Sequence, residues 1–482
     1  METLQKLIRD QSYINGKWTG AVSGKTFDVV NPATGKAIAS VADLEIEEIR
    51  TAIDAASEAF PLWAGLLAKE RAGILMNWFR LILDHKQSLA TLVTMECGKP
   101  YQESLSEVIY GASFIEWFAE EGKRAYGDVI PQHAADKRLV TIKQPVGVAA
   151  VITPWNFPLA MVTRKLGPAL AAGCAAVVKP PSPTPLTSLA LAKLAGEAGI
   201  PQGVLNVVTT SDSAGAGKEF SENEKIRKLS FTGSTEVGRV LLEQCAPTIK
   251  KVSMELGGNA PFIVFDDADI DAAVKGVLAS KYRNSGQTCV CTNRILVQEN
   301  AYDAFVKKLT AAVAQLKSGN GLEEGVMIGP LINEKSLIKV KELVDDAIQK
   351  GASATIGGKP GKGLFFQPTV LTNATPAMRV AKEEIFGPVA PVFRFHTEKE
   401  AIDMANDTEY GLAAYFYSRD VARCWRVAEA LEYGMVGINE GLISTELAPF
   451  GGIKQSGLGR EGSKYGIDEY LEIKYMCFGN VH

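Results

Sequence analysis

Short, wholly apolar segments alternate with helical patterns from residue 146 onward, and that alternation restricts this chain more than any other feature. Segments 146–152, 175–178, 204–208 and 228–231 read as strands, and 158–173, 185–198 and 234–245 read as the helices between them. A strand without a polar face must be covered on both sides, which is the condition of a parallel sheet packed between helices. A second alternation follows Gly257-Gly258: 261–265 reads as a strand, and 269–283, 300–317 and 333–350 as helices. At 482 residues the chain exceeds what one core organises. Two α/β domains joined near 255–260 are therefore expected.

Ahead of the first alternation, Asn15-Gly16 between apolar flanks predicts a tight hairpin. Helical spacing of apolar residues follows over 45–60, 69–96 and 100–122. Segments 138–144 and 469–478 alternate and lie outside both β/α runs, as partner strands of an intersubunit arm would.

Several function classes are disfavoured at once. A net charge of −4, with both signs mixed along the chain, provides no basic field for nucleic acid. The most apolar stretch, 166–178, is broken by Gly167, Pro168 and Gly173 and falls short of the ~20 residues a bilayer needs. Residues 1–10 carry Lys6, Arg9 and Asp10 without an apolar core, unlike a secretory leader. Seven scattered cysteines suit free thiols and a reducing cytoplasm better than a disulfide framework. The four histidines, His85, His133, His396 and His482, show no metal-ligand spacing, so neither a zinc site nor a Ser-His-Asp triad is expected.

Chemistry-bearing residues cluster in short loops. Thr153-Pro154-Trp155-Asn156-Phe157-Pro158 follows the first strand at its carboxyl end, where sheet ligands bind. Asn156 is placed as an oxyanion donor, and a rigid turn with Trp155 in the core describes the string equally well. Phe231-Thr232-Gly233-Ser234 ends a strand and caps a helix whose free N–H groups suit a phosphate, though a capped helix without ligand is the commoner case. Lys179, before Pro180-Pro181-Ser182, is either a ribose or phosphate contact or a surface lysine. Glu255, before Leu256-Gly257-Gly258, is a candidate base or part of a turn. Cys289 lies in a loop of small residues that leaves room for a substrate, although a lone cysteine is usually inert. Cys291 is a second thiol two residues on. Glu384 precedes Ile385-Phe386-Gly387-Pro388, and 449–461 is a glycine-rich stretch.

Together and in this order, PWNFP, FTGSTEVG, ELGG, GQTC, EEIFGP and PFGG resemble the aldehyde dehydrogenase superfamily over about residues 12–478. TRKLGPALAAGC, YRNSGQTCVC and GREGSKYGIDEYLEIKYMC resemble its bacterial succinate-semialdehyde dehydrogenases. The resemblance implies two Rossmann-like α/β domains with parallel-sheet cores plus a small β oligomerisation arm. It divides the chain into a cofactor-binding domain (1–125 and 146–256), a catalytic domain (257–465) and an arm (126–145 and 466–482). It implies a homotetramer built as a dimer of dimers.

The roles it implies are these. Cys289 is the nucleophile, Asn156 the oxyanion donor and Glu255 the base. Thr153, Trp155, Lys179, Ser182, Gly233, Ser234, Leu256, Glu384 and Phe386 bind the nicotinamide cofactor. Arg164 and Arg283, with Ser444, grip a distal carboxylate of the aldehyde substrate; a salt bridge to a neighbouring acid is the alternative for each arginine. NAD-preferring relatives commonly carry Glu where Ser182 stands, so NADP is expected to be preferred and NAD tolerated. Glutarate semialdehyde is the nearest competitor of succinate semialdehyde. Cys289 and Cys291 match a pair that forms a disulfide switch in human-type relatives. Glu440 departs from the small polar residue more usual there, and is expected either to repel a carboxylate or to pair with Arg283. A catalytically silent relative would lack the nucleophile or the base, and a CoA-acylating one usually lacks the Glu of ELGG; this chain has Cys289 and Glu255.

Overall fold

The computed structural model describes residues 2–481. An eight-stranded sheet runs in the order Lys17–Thr19, Ser12–Ile14, Leu205–Val207, Ala175–Lys179, Val148–Ile152, Ile226–Thr232, Lys251–Glu255, Gly457–Leu458. Its five central strands are parallel, and antiparallel strands close both edges. Period-two alternation explains why the central strands read as wholly apolar. Ala149, Val151, Ala176 and Val178 pack into one core, while Val148, Ala150, Ala175 and Val177 pack into another on the opposite face.

A second sheet of seven strands runs Ser353–Ile356, Thr369–Ala374, Val389–Phe395, Thr292–Gln298, Ala260–Val264, Ala413–Tyr417, Met435–Ile438. Only Ser353–Ile356 is antiparallel to its neighbour. Arg138–Pro145 and Leu471–Phe478 pair antiparallel from Leu471 against Pro145 to Phe478 against Arg138, and Val129–Ile130 adds a third strand. The Asn15-Gly16 hairpin forms, with Asn15 and Gly16 both left-handed.

Two features differ from the sequence reading. The single helix expected over 69–96 is two, Ala68–Asp84 and Lys86–Cys97, meeting at non-helical His85. The His85 ring Nδ1 stands 2.9 Å from Leu81 O. Apolar spacing continues across the break, so periodicity alone does not register it. The second difference is the strand Gly457–Leu458, which lies far along the chain in the second unit. It hydrogen-bonds the edge of the first sheet beside Glu255 and joins the two units where the chemistry lies. Among the described residues no helix is long and apolar enough to cross a membrane.

Two buried indoles pin the helices of 46–84 to helices Ala160–Ala172 and Leu186–Glu197 of the first unit. Trp63 donates to Leu170 O at 3.0 Å and Trp78 to Leu191 O at 3.1 Å. Trp78→Ala removes a fully buried ring and strands a carbonyl. It should destabilise the protein by about 3–5 kcal/mol, measured as a lowered urea midpoint at unchanged slope.

Candidate active site

The carboxyl ends of the first sheet face the amino ends of the second. Register aligns Ile152 with Lys179 and Phe231, and Thr232 with Glu255, so the loops carrying Asn156, Lys179, Ser234 and Glu255 leave one edge together. From the other side, Cys289 precedes the strand Thr292–Gln298, and Glu384–Phe386 precede Val389–Phe395. The sequence reading placed Asn156 at a strand carboxyl end and Cys289 in a loop; the structure sets the Cys289 and Glu384 loops at strand amino ends.

The Cys289 loop is held by its backbone. Helix Ile270–Lys281 runs into a short turn in which Asn284 and Ser285 are left-handed. Gly286 follows at φ +76°, and a Cβ there would stand 2.1 Å from Gly387 O. Only glycine fits. Gln287 braces the loop: its Nε2 donates to Asn284 O at 3.1 Å and Pro330 O at 3.2 Å, and its Oε1 accepts from Ile332 N at 3.0 Å. Cys289 is half-buried, Cys291 is buried, and both are free thiols. Cys291 donates to Lys281 O at 3.4 Å.

Two cavities meet at Cys289. One, of about 380 Å³, is walled by Tyr110, Phe157, Met161, Arg164, Arg283, Ser444 and Phe450. The other, of about 350 Å³, is walled by Trp155, Asn156, Gly233, Ser234, Leu256, Glu384 and Phe386, with Lys335 and Lys339. Trp155 and Phe386, one from each side, meet edge to face at 5.7 Å. Ser234 caps helix Thr235–Cys245, its Oγ accepting from Val237 N at 3.3 Å. Thr153 and Thr232 present buried hydroxyls without partners. Aromatic walls, a capped helix start, lysines and the free Thr232 hydroxyl fit a phosphate-bearing dinucleotide.

Lys179 and Ser182 stand apart from that wall, as does Thr153. The Lys179 ammonium donates to Ser213 Oγ at 2.6 Å, and burial pushes it down to about 8. Ser182 Oγ donates to Thr210 O at 3.0 Å.

Arg164 has the salt bridge left open as its alternative: its Nε lies 2.6 Å from Glu461 Oε2. Its guanidinium covers the Phe450 ring at 3.9 Å, and Nη2 has no partner. Arg283 lies 5.3 Å from the Phe157 ring centre, and its buried Nε is also without a partner. Glu440 does not make the pair with Arg283. It is exposed, and its Oε1 accepts from Gly441 N at 2.7 Å and Leu442 N at 2.9 Å, folding the carboxylate onto its own loop. Sequence reasoning missed Tyr110, whose buried hydroxyl in this cavity has no partner. Its helix, Tyr101–Glu121, turns Gln102, Ser106 and Tyr110 to the cavity at four-residue spacing. That row was the available signal.

Glu255 is buried beside Gly451, where a Cβ would come 3.0 Å from its Oε1. Neither of its oxygens has a hydrogen-bond partner. Burial, and then the charge of Glu461, hold its carboxyl well above the ordinary range. Burial would also raise Glu461, but Lys165 and Arg164 outweigh it and hold that carboxyl low. The two neighbouring acids are thus driven apart, Glu255 upward and Glu461 downward. Burial pushes the Cys289 thiol up to about 12, with Glu384 and Glu255 adding and Arg164 and Arg283 opposing. Burial also raises Glu384 to about 7, while its Oε1 accepts from Gly258 N at 3.2 Å.

A half-buried thiol between two cavities, with an amide and a carboxylate at hand, can form an acyl-sulfur bond and release it to water. Comparison with known proteins gives the family. Residues 18–476 match the model of the aldehyde dehydrogenase family. The chain is 63% identical to the succinate-semialdehyde dehydrogenase [NADP(+)] of Escherichia coli, covering 98% of each chain. It is 62% identical to the glutarate-semialdehyde dehydrogenase of Pseudomonas putida, again covering 98% of each. A crystal structure of an E. coli NADP-dependent enzyme superposes with a TM-score of 0.98 at 62% identity, over 98% of this chain and 99% of that one. The chain belongs to the aldehyde dehydrogenase family and is an enzyme that oxidises aldehydes.

Proposed function

We propose that the substrate is a short aldehyde bearing a second carboxylate, oxidised with NADP in preference to NAD. Succinate semialdehyde is the leading candidate and glutarate semialdehyde the alternative. One observation carries this reading: two guanidinium groups, Arg164 and Arg283, enter the same buried cavity as Cys289 and keep unpartnered nitrogens there. A buried cation without a full set of acceptors calls for an anion. Glu440, turned onto its own loop, leaves Arg283 to the substrate. Ser444 and the Tyr110 hydroxyl add polar contacts in the same wall. Relatives of nearly equal identity act on the four- and five-carbon semialdehydes, and one methylene discriminates by only ~1–3 kcal/mol.

The Cys289 sulfur attacks the aldehyde carbon and passes its proton to a carboxylate base. Asn156 spends one amide hydrogen on Gln287 O at 3.0 Å and offers the other to the new oxyanion, alongside the Cys289 main-chain N–H. The cofactor, when bound, accepts the hydride from that carbon. The thioester left on Cys289 is hydrolysed by water from which Glu255 removes a proton, and the acid departs. Water rather than CoA as acceptor follows from Glu255. Ser182 in place of a carboxylate avoids repulsion of a 2′-phosphate, and a phosphate beside buried Lys179 would restore its preference for charge. The arm exposes Ile473, Tyr475 and Phe478, which supports its use in a homotetramer assembled as a dimer of dimers.

Steady-state kinetics test each part. Asn156→Ala should lower kcat by about 10²–10³-fold with NADP affinity retained; wild-type turnover would refute the oxyanion role. Glu255 works only when deprotonated and its pKa is raised, so kcat should climb with pH above the ordinary carboxylate range. Glu255→Gln should flatten that limb. Arg283→Leu should raise KM for succinate semialdehyde by tenfold or more, ~1.4 kcal/mol, and leave butyraldehyde almost unaffected; equal effects on both would remove the anion grip. Ser182→Glu should reverse the ratio of kcat/KM for NADP over NAD.

A further inference from the structure

One buried ion pair beside the site has no part in the chemistry above. Lys99 follows Gly98, the left-handed cap that ends helix Lys86–Cys97, and Glu107 lies on helix Tyr101–Glu121. Both side chains are fully buried, and Lys99 Nζ stands 2.5 Å from Glu107 Oε2. The remaining contacts of the pair converge on a single segment. Lys99 Nζ also donates to Asn156 O at 2.6 Å and sits 3.7 Å from the Phe157 ring centre. Glu107 Oε1 accepts from Leu159 N at 2.9 Å and Ala160 N at 3.3 Å. The pair therefore grips residues 156–160 at both ends. Asn284 completes the hold, its Nδ2 donating to Asn156 O at 3.0 Å and to Gln287 O at 3.2 Å.

Two charges removed from water are costly unless every donor and acceptor is used. Neutral groups would hold an ordinary turn. Charge-assisted bonds are shorter and more directional, which matters where the held residue must aim an amide. Peptide planarity couples the Asn156 carbonyl to the peptide that follows it, so fixing that oxygen limits how the residue can turn. We infer that Lys99 and Glu107 are positioning residues that lock the Asn156 main chain and so aim its side-chain amide at the oxygen developing beside Cys289. The inference rests on the oxyanion role proposed for Asn156.

The test uses the full-length protein with NADP and succinate semialdehyde. Lys99→Met and Glu107→Gln are made alone and each in combination with Asn156→Ala. Either single change should lower kcat by about 10–100-fold, the cost of a misplaced group. KM and the NADP Kd, read by protein fluorescence, should stay within about twofold. A merely structural role would multiply its loss onto Asn156→Ala, whereas residues acting through Asn156 should add little further loss in that background. Wild-type kcat in both singles, or losses that multiply fully, overturns the inference. Should Lys99→Met fold poorly, the isosteric Glu107→Gln keeps an oxygen for Leu159 and Ala160 and decides alone. If Asn156→Ala is crippled and the pair is dispensable, only this inference fails. If Asn156→Ala keeps full turnover, the oxyanion reading fails and takes it along.

Discussion

Two hydrogen bonds, from the Asn156 side-chain amide to the Gln287 carbonyl and from the Asn284 side-chain amide to the Asn156 carbonyl, tie the first sheet to the second at the point where both reach Cys289. Everything about the site depends on that junction. Strand carboxyl ends supply Asn156, Ser234 and Glu255; strand amino ends supply Cys289 and Glu384. Neither sheet alone encloses a thiol between two cavities. The junction also demands glycine. Gly286 admits Gly387 O, and Gly258 brings its position for a Cβ to 2.7 Å from Cys289 O. Those contacts let two loops from distant parts of the chain share one space.

Burial then sets the chemistry's resting state. The thiol at about 12 is neutral in the free protein, which protects it from oxidation as long as no base and substrate are aligned. Burial and Glu461 raise the Glu255 carboxyl, which on the function proposed above makes its carboxylate form the stronger proton acceptor. Its neighbour has the opposite fate, since Lys165 and Arg164 hold Glu461 ionised. Arg164 thus has two duties: it neutralises Glu461 on one edge and faces the aldehyde cavity with the other.

Much of this was legible in the sequence where chemistry is local. A strand, a turn and a capped helix occur within a few residues at Phe231 to Ser234, and the Cys289 loop announces itself by small residues. What was not legible is long-range. Nothing near Arg164 in sequence points to Glu461, nearly three hundred residues on. Glu440 was expected to repel a carboxylate or to pair with Arg283 because sequence cannot tell that two N–H groups of its own loop donate to its carboxylate. Tyr110 and Glu107 sit on a helix whose apolar spacing reads as core, with Lys99 just ahead of it, and burial is indeed what they share with core residues. The His85 break escaped for the same reason, because periodicity reports a face and not a chain direction. Among the described residues no group of three or more His, Cys, Asp or Glu is placed to hold a metal; His482 lies outside them.

Substrate length is the least constrained property, and the structure explains why. Arg283 and Arg164 lie over aromatic rings, Phe157 and Phe450, which steady a guanidinium plane without fixing how far along the cavity an anion meets it. A long side chain gripping a carboxylate through its fork can follow one added methylene at small cost. The carbonyl end has no such freedom, because Asn156 and Cys289 are bolted to two sheets through Gln287, Asn284 and Lys99. On the function proposed above, a site rigid at the reacting carbon and compliant at the distal charge selects for a second carboxylate more strictly than for chain length. Relatives that divide between the four- and five-carbon semialdehydes at nearly equal identity are what such a division of stiffness would produce.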